Sequence, residues 1–519
     1  MIIKIKSGTY TTIDGLIIDV EVDITKGIPS LNIVGLPDAS VKEARERVRS
    51  AIINSGFQYP MGRITVSLAP ADIKKNGSLL DLPIAIGILM STNQIPYRDL
   101  DNYIITGELS LSGDIKGING VLPIVLLGKE MGIENYIFPI DNVNECYYDS
   151  TVNYYPFKNL KEVVSFIMYK DVLPYIREED SCSQEKRLDF SNIIGQDFAK
   201  RGLLIGACGK HNVLMFGCSG CGKTMLANAF PSILPELDLE EELELAKIYS
   251  VMGLIPKNGR IQRPFRNPHH TTTTSALVGG GKKVKVGEVT LAHNGVLFLD
   301  EILEFKKSTL ESLREPLEEG KVTITRVQGS YELPASFLLI ASHNLCPCGN
   351  SQGVVSAYGG DNCSCSENEK NRYLNRLSKA MKDRIDIFNF VPKIKYEEIK
   401  NRSEGMTSDE MKEIVLRVRE IQKERYKDTN YKYNSEIKGK DIFELCRVRK
   451  SVEEILSCYF NKVLPSLRAY GKVIKVARTI ADINNNEDIC DSDVIEAISY
   501  RKDSNGNIIW VKLNINYGY

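Results

Sequence analysis

The run Gly217, Cys218, Ser219, Gly220, Cys221, Gly222, Lys223, Thr224 constrains this chain more than any other stretch. It fits G-x-x-x-x-G-K-[ST] and lies between the apolar, strand-like Val213–Phe216 and the helix-prone Met225–Phe230. The order strand, glycine turn, helix is the context this phosphate-binding pattern requires, and it predicts a parallel α/β unit. Glycines at 217, 220 and 222 let the backbone turn its N–H groups inward on phosphate oxygens, and the following helix offers its positive dipole end. Lys223 is then expected to reach the β- and γ-phosphates, and Thr224 to ligate magnesium.

A second apolar run, Val296–Leu299, ends in Asp300 and Glu301. Ligands of parallel sheets lie beyond the carboxyl ends of the strands. Asp300 is therefore expected to hold magnesium and Glu301 to orient and deprotonate an attacking water. A third run, Phe337–Ser342, ends near Asn344, whose amide is suited to bridge a γ-phosphate and that water. Arg384, between Asp383 and Ile385, is placed to project to a neighbouring subunit's γ-phosphate; an ion pair with Asp383 or Asp386 is the alternative.

With 519 residues, of which 43% are apolar, the chain is long enough for about three domains, each with its own core. Lys and Arg (66) balance Asp and Glu (67), so any nucleic-acid contact has to come from a local patch. No apolar run approaches the ~20 residues of a membrane span, the start lacks a secretory pattern, and 12 cysteines fit a reducing cytoplasm. The expected boundaries are residues 1–165, a polar linker over 166–188, an ATPase core over 189–392, a helical region over 393–501 and a tail over 502–519.

Several longer segments carry a family pattern: 263–271, 276–281, 291–301, 313–318, 346–349 and 477–482. Together they resemble the ComM/YifB group of magnesium-chelatase-like AAA+ ATPases over residues 1 to about 501. The resemblance implies an α/β fold with three parts. These are an amino-terminal Lon-protease-like (ribosomal S5 domain 2-like) α+β domain, a central P-loop AAA+ α/β/α core with a parallel sheet, and a C-terminal helical lid. It also implies ATP and Mg2+ as cofactors and a homo-oligomer, a hexameric ring, acting on single-stranded or branched DNA like the helicase that promotes branch migration in natural transformation. Carried over by position, Lys223 and Thr224 belong to the phosphate loop, Asp300 and Glu301 to Walker B, Asn344 to sensor 1 and Arg384 to the finger. The lid arginine is Arg468, with Arg478 as the second choice. The chain departs from the pattern at Cys218 and Ser219, where prolines are usual, and at Leu345. In the amino-terminal domain Leu79 and Leu122 stand where Lon peptidases carry a catalytic serine and lysine, which predicts a scaffold without peptidase chemistry; Ser78 and Lys116 lie nearby.

Lys282, Lys283 and Lys285 lie in a glycine-rich loop that the resemblance directs into the central pore, where lysines would track phosphates without reading bases. Residues 321–333 read as a hairpin around Gln328 and Gly329, and its Arg326 is a second pore candidate. Cys346, Cys348, Cys363 and Cys365 form C-x-C, fourteen residues, C-x-C. Four thiolates suit tetrahedral zinc, although paired ligands are usually two or more residues apart, and free thiols are the other reading. Ser308 reads as the cap of a helix whose apolar stripe is Leu310, Leu313 and Leu317. Two other activities stay open at this point: a chelatase-type motor remodelling a partner protein, and an ATP-dependent peptidase.

Overall fold

The computed structural model describes residues 2–36, 39–71, 75, 78–176, 187–281, 285–326, 329–351, 363–394, 405–463 and 467–501. The expected tail, part of the linker, and Lys282 and Lys283 lie outside them. By contacts the chain forms two compact units, residues 1–183 with 238–262, and residues 184–237 with 263–519.

In the first unit, strands Ile3–Thr11, Asp14–Thr25, Arg63–Ala69 and Ser30–Val34 form a sheet in that order, antiparallel except for the last pair. Strand Arg63–Ala69 alternates as its sequence dictates, burying Ile64, Val66 and Leu68. Helices Asp81–Ser91 and Val121–Glu130 both pack on Asp14–Thr25. Asp81–Ser91 is apolar all round and is buried from Asp81 to Met90, as such a composition requires. A smaller parallel sheet orders Tyr103–Ile105, Asn135–Pro139 and Asn153–Phe157.

Contacts group residues 238–262, which lie within the span 189–392 expected for the ATPase core, with the amino-terminal unit. Its helix, Leu239–Met252, opens on a reciprocal capping box between Asp238 and Glu241 and stops at Gly253, which takes φ 65°. Near its end Ser250 donates to the buried carboxylate of Glu145, which also accepts from Leu122 N at 2.8 Å and Asn142 Nδ2 at 2.8 Å. Burial pushes the Glu145 pKa above the ordinary carboxylate value, and these donors counter it.

The second unit is built on a five-stranded parallel sheet in the order Phe265–Arg266, Val296–Leu299, Leu338–His343, Val213–Phe216, Ile387–Phe390. The three central strands, fully buried, are the three apolar runs of the sequence. Lys321–Arg326 pairs with Gly329–Pro334 as the expected hairpin. Its register sets Arg326 opposite Gly329, and Gln328 lies outside the described residues. Ser308 does not cap its helix: Lys306 takes the extended conformation of the cap, the helix starts at Lys307, and Ser308 lies inside its first turn.

Beyond the sheet, helices Ser408–Tyr426, Lys450–Val463, Leu467–Ile483 and Asp491–Ser499 follow. Asp482, 1% exposed, accepts from Arg425 Nη1 at 2.8 Å, Arg478 Nη2 at 2.9 Å and Asn434 Nδ2 at 2.9 Å. Arg478, likewise 1% exposed, also donates to the carbonyls of Cys446, Asn486 and Glu487. It is thus fully engaged in holding the helices together. Asp482→Ala would leave a buried guanidinium without its counter-charge, so urea unfolding should show a loss of about 3–5 kcal/mol.

Candidate functional site

The glycine-rich loop expected to bind phosphate runs from strand Val213–Phe216 into helix Lys223–Ala229. Gly220 and Gly222 take φ 73° and 97° with open space where a Cβ would stand, so backbone conformation selects glycine there. At Gly217 the reason is close approach, because a Cβ would collide with the Val391 carbonyl. Lys223 Nζ is held at 2.7 Å by Cys218 O, 3.1 Å by Gly217 O and 3.0 Å by Asn344 Oδ1. The first and third apolar runs therefore deliver Lys223 and Asn344 to one point.

The second run joins them from the other side. Thr224 Oγ1 donates to Asp300 Oδ2 at 2.9 Å, and Ser342 Oγ donates to Asp300 Oδ1. Glu301 N lies 3.3 Å from Ser342 Oγ and 3.1 Å from Asp300 Oδ1. Glu301 itself adopts φ 52°, the left-handed region, with an exposed side chain. Thr224 and Asp300 offer hard oxygen donors side by side, the set that magnesium takes when it bridges a protein to phosphates.

Two residues of this site were not read from the sequence. Ser342 is the last residue but one of its strand and orients Asp300, but a serine near a strand end carries no distinctive local signal. Gln196, at φ 62°, donates from Nε2 to Cys221 O at 3.1 Å and Pro392 O at 2.7 Å, buttressing the phosphate loop from outside. A non-glycine residue in the left-handed region just before a helix is visible in coordinates but not in a sequence.

Arg384 and Arg468 meet on one carboxylate. Arg384 donates to Glu318 through Nη2, to Ala380 O at 2.6 Å and to Arg314 O at 3.2 Å, while Arg468 Nη2 lies 3.0 Å from Glu318 Oε1. The partner of Arg384 is thus Glu318 and neither Asp383 nor Asp386. Asp386 instead pairs with Lys472 at 2.9 Å and accepts from Asn212 N at 2.9 Å. Burial raises the Asp386 pKa, but Lys472 and His211 outweigh it and hold the carboxyl well below its ordinary value; burial lowers Lys472 to about 8. Glu311, Glu315, Glu318, Arg314, Arg326 and Arg384 line an open groove of about 660 Å³.

The two basic candidates that lie within the described residues are neighbours. Gly279–Gly280 pairs with Lys285–Val286, and a Cβ on Gly280 would stand 3.4 Å from Arg326 Nη2. Lys285 and Arg326 are both exposed. The four cysteine sulfurs at 346, 348, 363 and 365 lie within 4.8 Å of one another, from a fully buried Cys346 to an exposed Cys348. In the other unit, Leu79 and Leu122 are core residues, and Ser78 Oγ donates to Glu108.

Among the described residues no helix is long and apolar enough to cross a membrane. Three family matches cover most of the chain: subunit ChlI of Mg-chelatase over residues 20–142, magnesium chelatase subunit ChlI over 189–399, and its C-terminal region over 405–501. The competence protein ComM of Haemophilus influenzae is 41% identical over 492 residues, covering 93% of this chain and 94% of that protein. The uncharacterised protein YifB of Escherichia coli is 40% identical, with the same coverage of both chains. The magnesium-chelatase 67 kDa subunit of Chlorobaculum parvum is 29% identical over 30% of this chain and 23% of its own length.

Proposed function

The chain belongs to the ComM/YifB family of magnesium-chelatase-like AAA+ proteins, and on that premise we propose that it is an ATP-hydrolysing ring motor of the cytoplasm that binds and translocates DNA. The observation that carries the ATPase reading is the unbroken set of contacts Lys223–Asn344 and Thr224–Asp300–Ser342–Glu301, assembled from three strand ends. Here the Lys223 ammonium neutralises the β- and γ-phosphates, Asn344 positions water and γ-phosphate, and Glu301 takes the proton of the attacking water. Magnesium, held by Thr224 and by Asp300, would neutralise charge on the same oxygens. Arg384 completes the site of the adjacent subunit, and Arg468 contacts nucleotide from the lid. The amino-terminal unit is read as a Lon-like scaffold, because Leu79 and Leu122 offer no nucleophile or base.

Lys282, Lys283, Lys285 and Arg326 are proposed to carry the DNA, with the adjacency of Lys285 and Arg326 as support. Turnover of ATP should rise with single-stranded or forked DNA, and forked substrates should be separated; failure of both removes the translocase reading. Changing Lys282, Lys283 and Lys285 together to alanine should lower the slope of log affinity against log salt by about 2 on single strands, at ~0.7 per lost phosphate contact. An unchanged slope moves the DNA site elsewhere. The ChlI matches over all three segments favour a second reading, a chelatase-type motor that remodels a protein partner. ATP-dependent capture of a protein, with turnover indifferent to DNA, would select it.

A further inference from the structure

The four-cysteine cluster touches the nucleotide site. Cys346 follows Asn344 by two residues, and Asn344 Oδ1 accepts from Lys223 Nζ at 3.0 Å. On the other side of the C-x-C, Gly349 closes a turn onto Cys346 O at 3.1 Å, and its own carbonyl accepts from Ser219 N in the phosphate loop at 2.7 Å. Gly349 takes φ 79°, and a Cβ there would stand 3.0 Å from the Ser219 Cβ, so turn and loop are in van der Waals contact as well.

The sulfur geometry says what fixes this turn. Cys346 to Cys348 is 3.3 Å, Cys348 to Cys363 3.6 Å and Cys363 to Cys346 3.6 Å. Four thiolates about 2.3 Å from a tetrahedral zinc stand about 3.8 Å apart, so these three sulfurs need a small expansion to take the ion, and Cys365 Sγ, in a set whose atoms all lie within 4.8 Å of one another, supplies the fourth corner. Ser351 N donates to Cys346 Sγ at 3.3 Å, the kind of outer contact that orients a metal-bound thiolate. Helix Glu367–Leu374 begins directly after Cys365 and Ser366, and Ser366 caps it through a reciprocal box with Glu369.

The geometry points to a structural zinc centre at Cys346, Cys348, Cys363 and Cys365 that positions the phosphate loop through the Gly349 O to Ser219 N bond, so that nucleotide affinity depends on the metal. The inference rests on the ATPase reading for its ligand, while metal content and loop geometry are read independently of it. The residues act through the loop and touch no phosphate, so they are positioning residues. The bond that transmits the effect needs the N–H of residue 219. A proline at that position, the residue usual in the family pattern, has none.

The full-length chain, reconstituted with Zn2+ alone, should hold one zinc per chain by elemental analysis, and Co2+ should give thiolate-to-metal charge-transfer bands. Cys363→Ser combined with Cys365→Ser, far along the chain from the phosphate loop, should abolish both and weaken binding of a fluorescent ATP analogue roughly fivefold, the scale of one lost hydrogen bond. Ser219→Pro should keep the zinc, and adding the two serines to it should produce no further loss of affinity. Absence of zinc from the reconstituted protein, unchanged affinity in the serine variant, or a full further loss in the proline background would each overturn the inference. If the proline variant does not fold, amide exchange in the wild-type chain decides: the Ser219 N–H should lose protection when zinc is removed, and unchanged protection refutes the coupling. A zinc-loaded chain that binds no triphosphate would instead sink the ATPase reading, and the same exchange measurement would still test the centre.

Discussion

Arg384→Ala should reduce ATP turnover of the assembled protein by about 10³-fold or more, the scale of an arginine that stabilises charge on a transferring phosphoryl group, while leaving ATP binding near wild type. Within its own chain the guanidinium is occupied by Glu318, Ala380 O and Arg314 O, and its side chain is 10% exposed. To serve a neighbour it has to leave Glu318, a half-exposed carboxylate that Arg468 also holds. Because Arg468 also holds Glu318, that carboxylate keeps a cationic partner when Arg384 leaves it. Mixing separates a trans role from a cis one. Arg384→Ala subunits keep Glu301 and lack only the finger, while Glu301→Gln subunits keep the finger and lack the base. Equal mixtures of the two inactive variants should regain turnover at the interfaces where an intact Glu301 meets an intact Arg384. A mixture as idle as its components, or a strictly monomeric preparation with full activity, refutes the shared site.

How much of this was legible in the sequence depended on whether the signal was local. Val213–Phe216, Val296–Leu299 and residues 337–341 are continuous apolar runs bounded by polar or glycine residues, and a parallel sheet buried on both faces requires that. For helix Leu239–Met252, periodicity says which face is buried and not what buries it. Its place in the amino-terminal unit depends on contacts with residues such as Glu145, 105 positions away in the chain. That Glu318 gathers Arg384 and Arg468 from positions 66 and 150 residues on is a fact of tertiary packing. The Ser308 cap failed for a smaller reason, since S-x-x-E specifies a cap only where the preceding backbone leaves the extended conformation to the serine, and here Lys306 takes it.

Glu301→Gln should bind ATP and hydrolyse it about 10²–10⁴ times more slowly, the range assigned to a positioned general base. The backbone argues for the position as strongly as the carboxylate does. A glutamate at φ 52° costs about 1 kcal/mol or more relative to glycine. The structure sustains it through Asp300, whose oxygens meet Thr224 and Ser342, and through the Ser342 hydroxyl beneath the Glu301 N–H. The bend separates the two carboxylates: Asp300 is turned onto Thr224, and Glu301 is left exposed. Glutamine keeps the shape and the hydrogen-bonding reach and lacks the basic oxygen, so its loss isolates the proton-transfer step. Glycine gives the complementary result. Glu301→Gly should relieve the conformational cost and raise resistance to urea by about 1 kcal/mol while turnover falls at least as far as in the glutamine variant. Normal turnover in Glu301→Gln would reassign the base. A glycine variant less stable than wild type would show that the Glu301 side chain supports the fold, and the strain would then have no catalytic explanation.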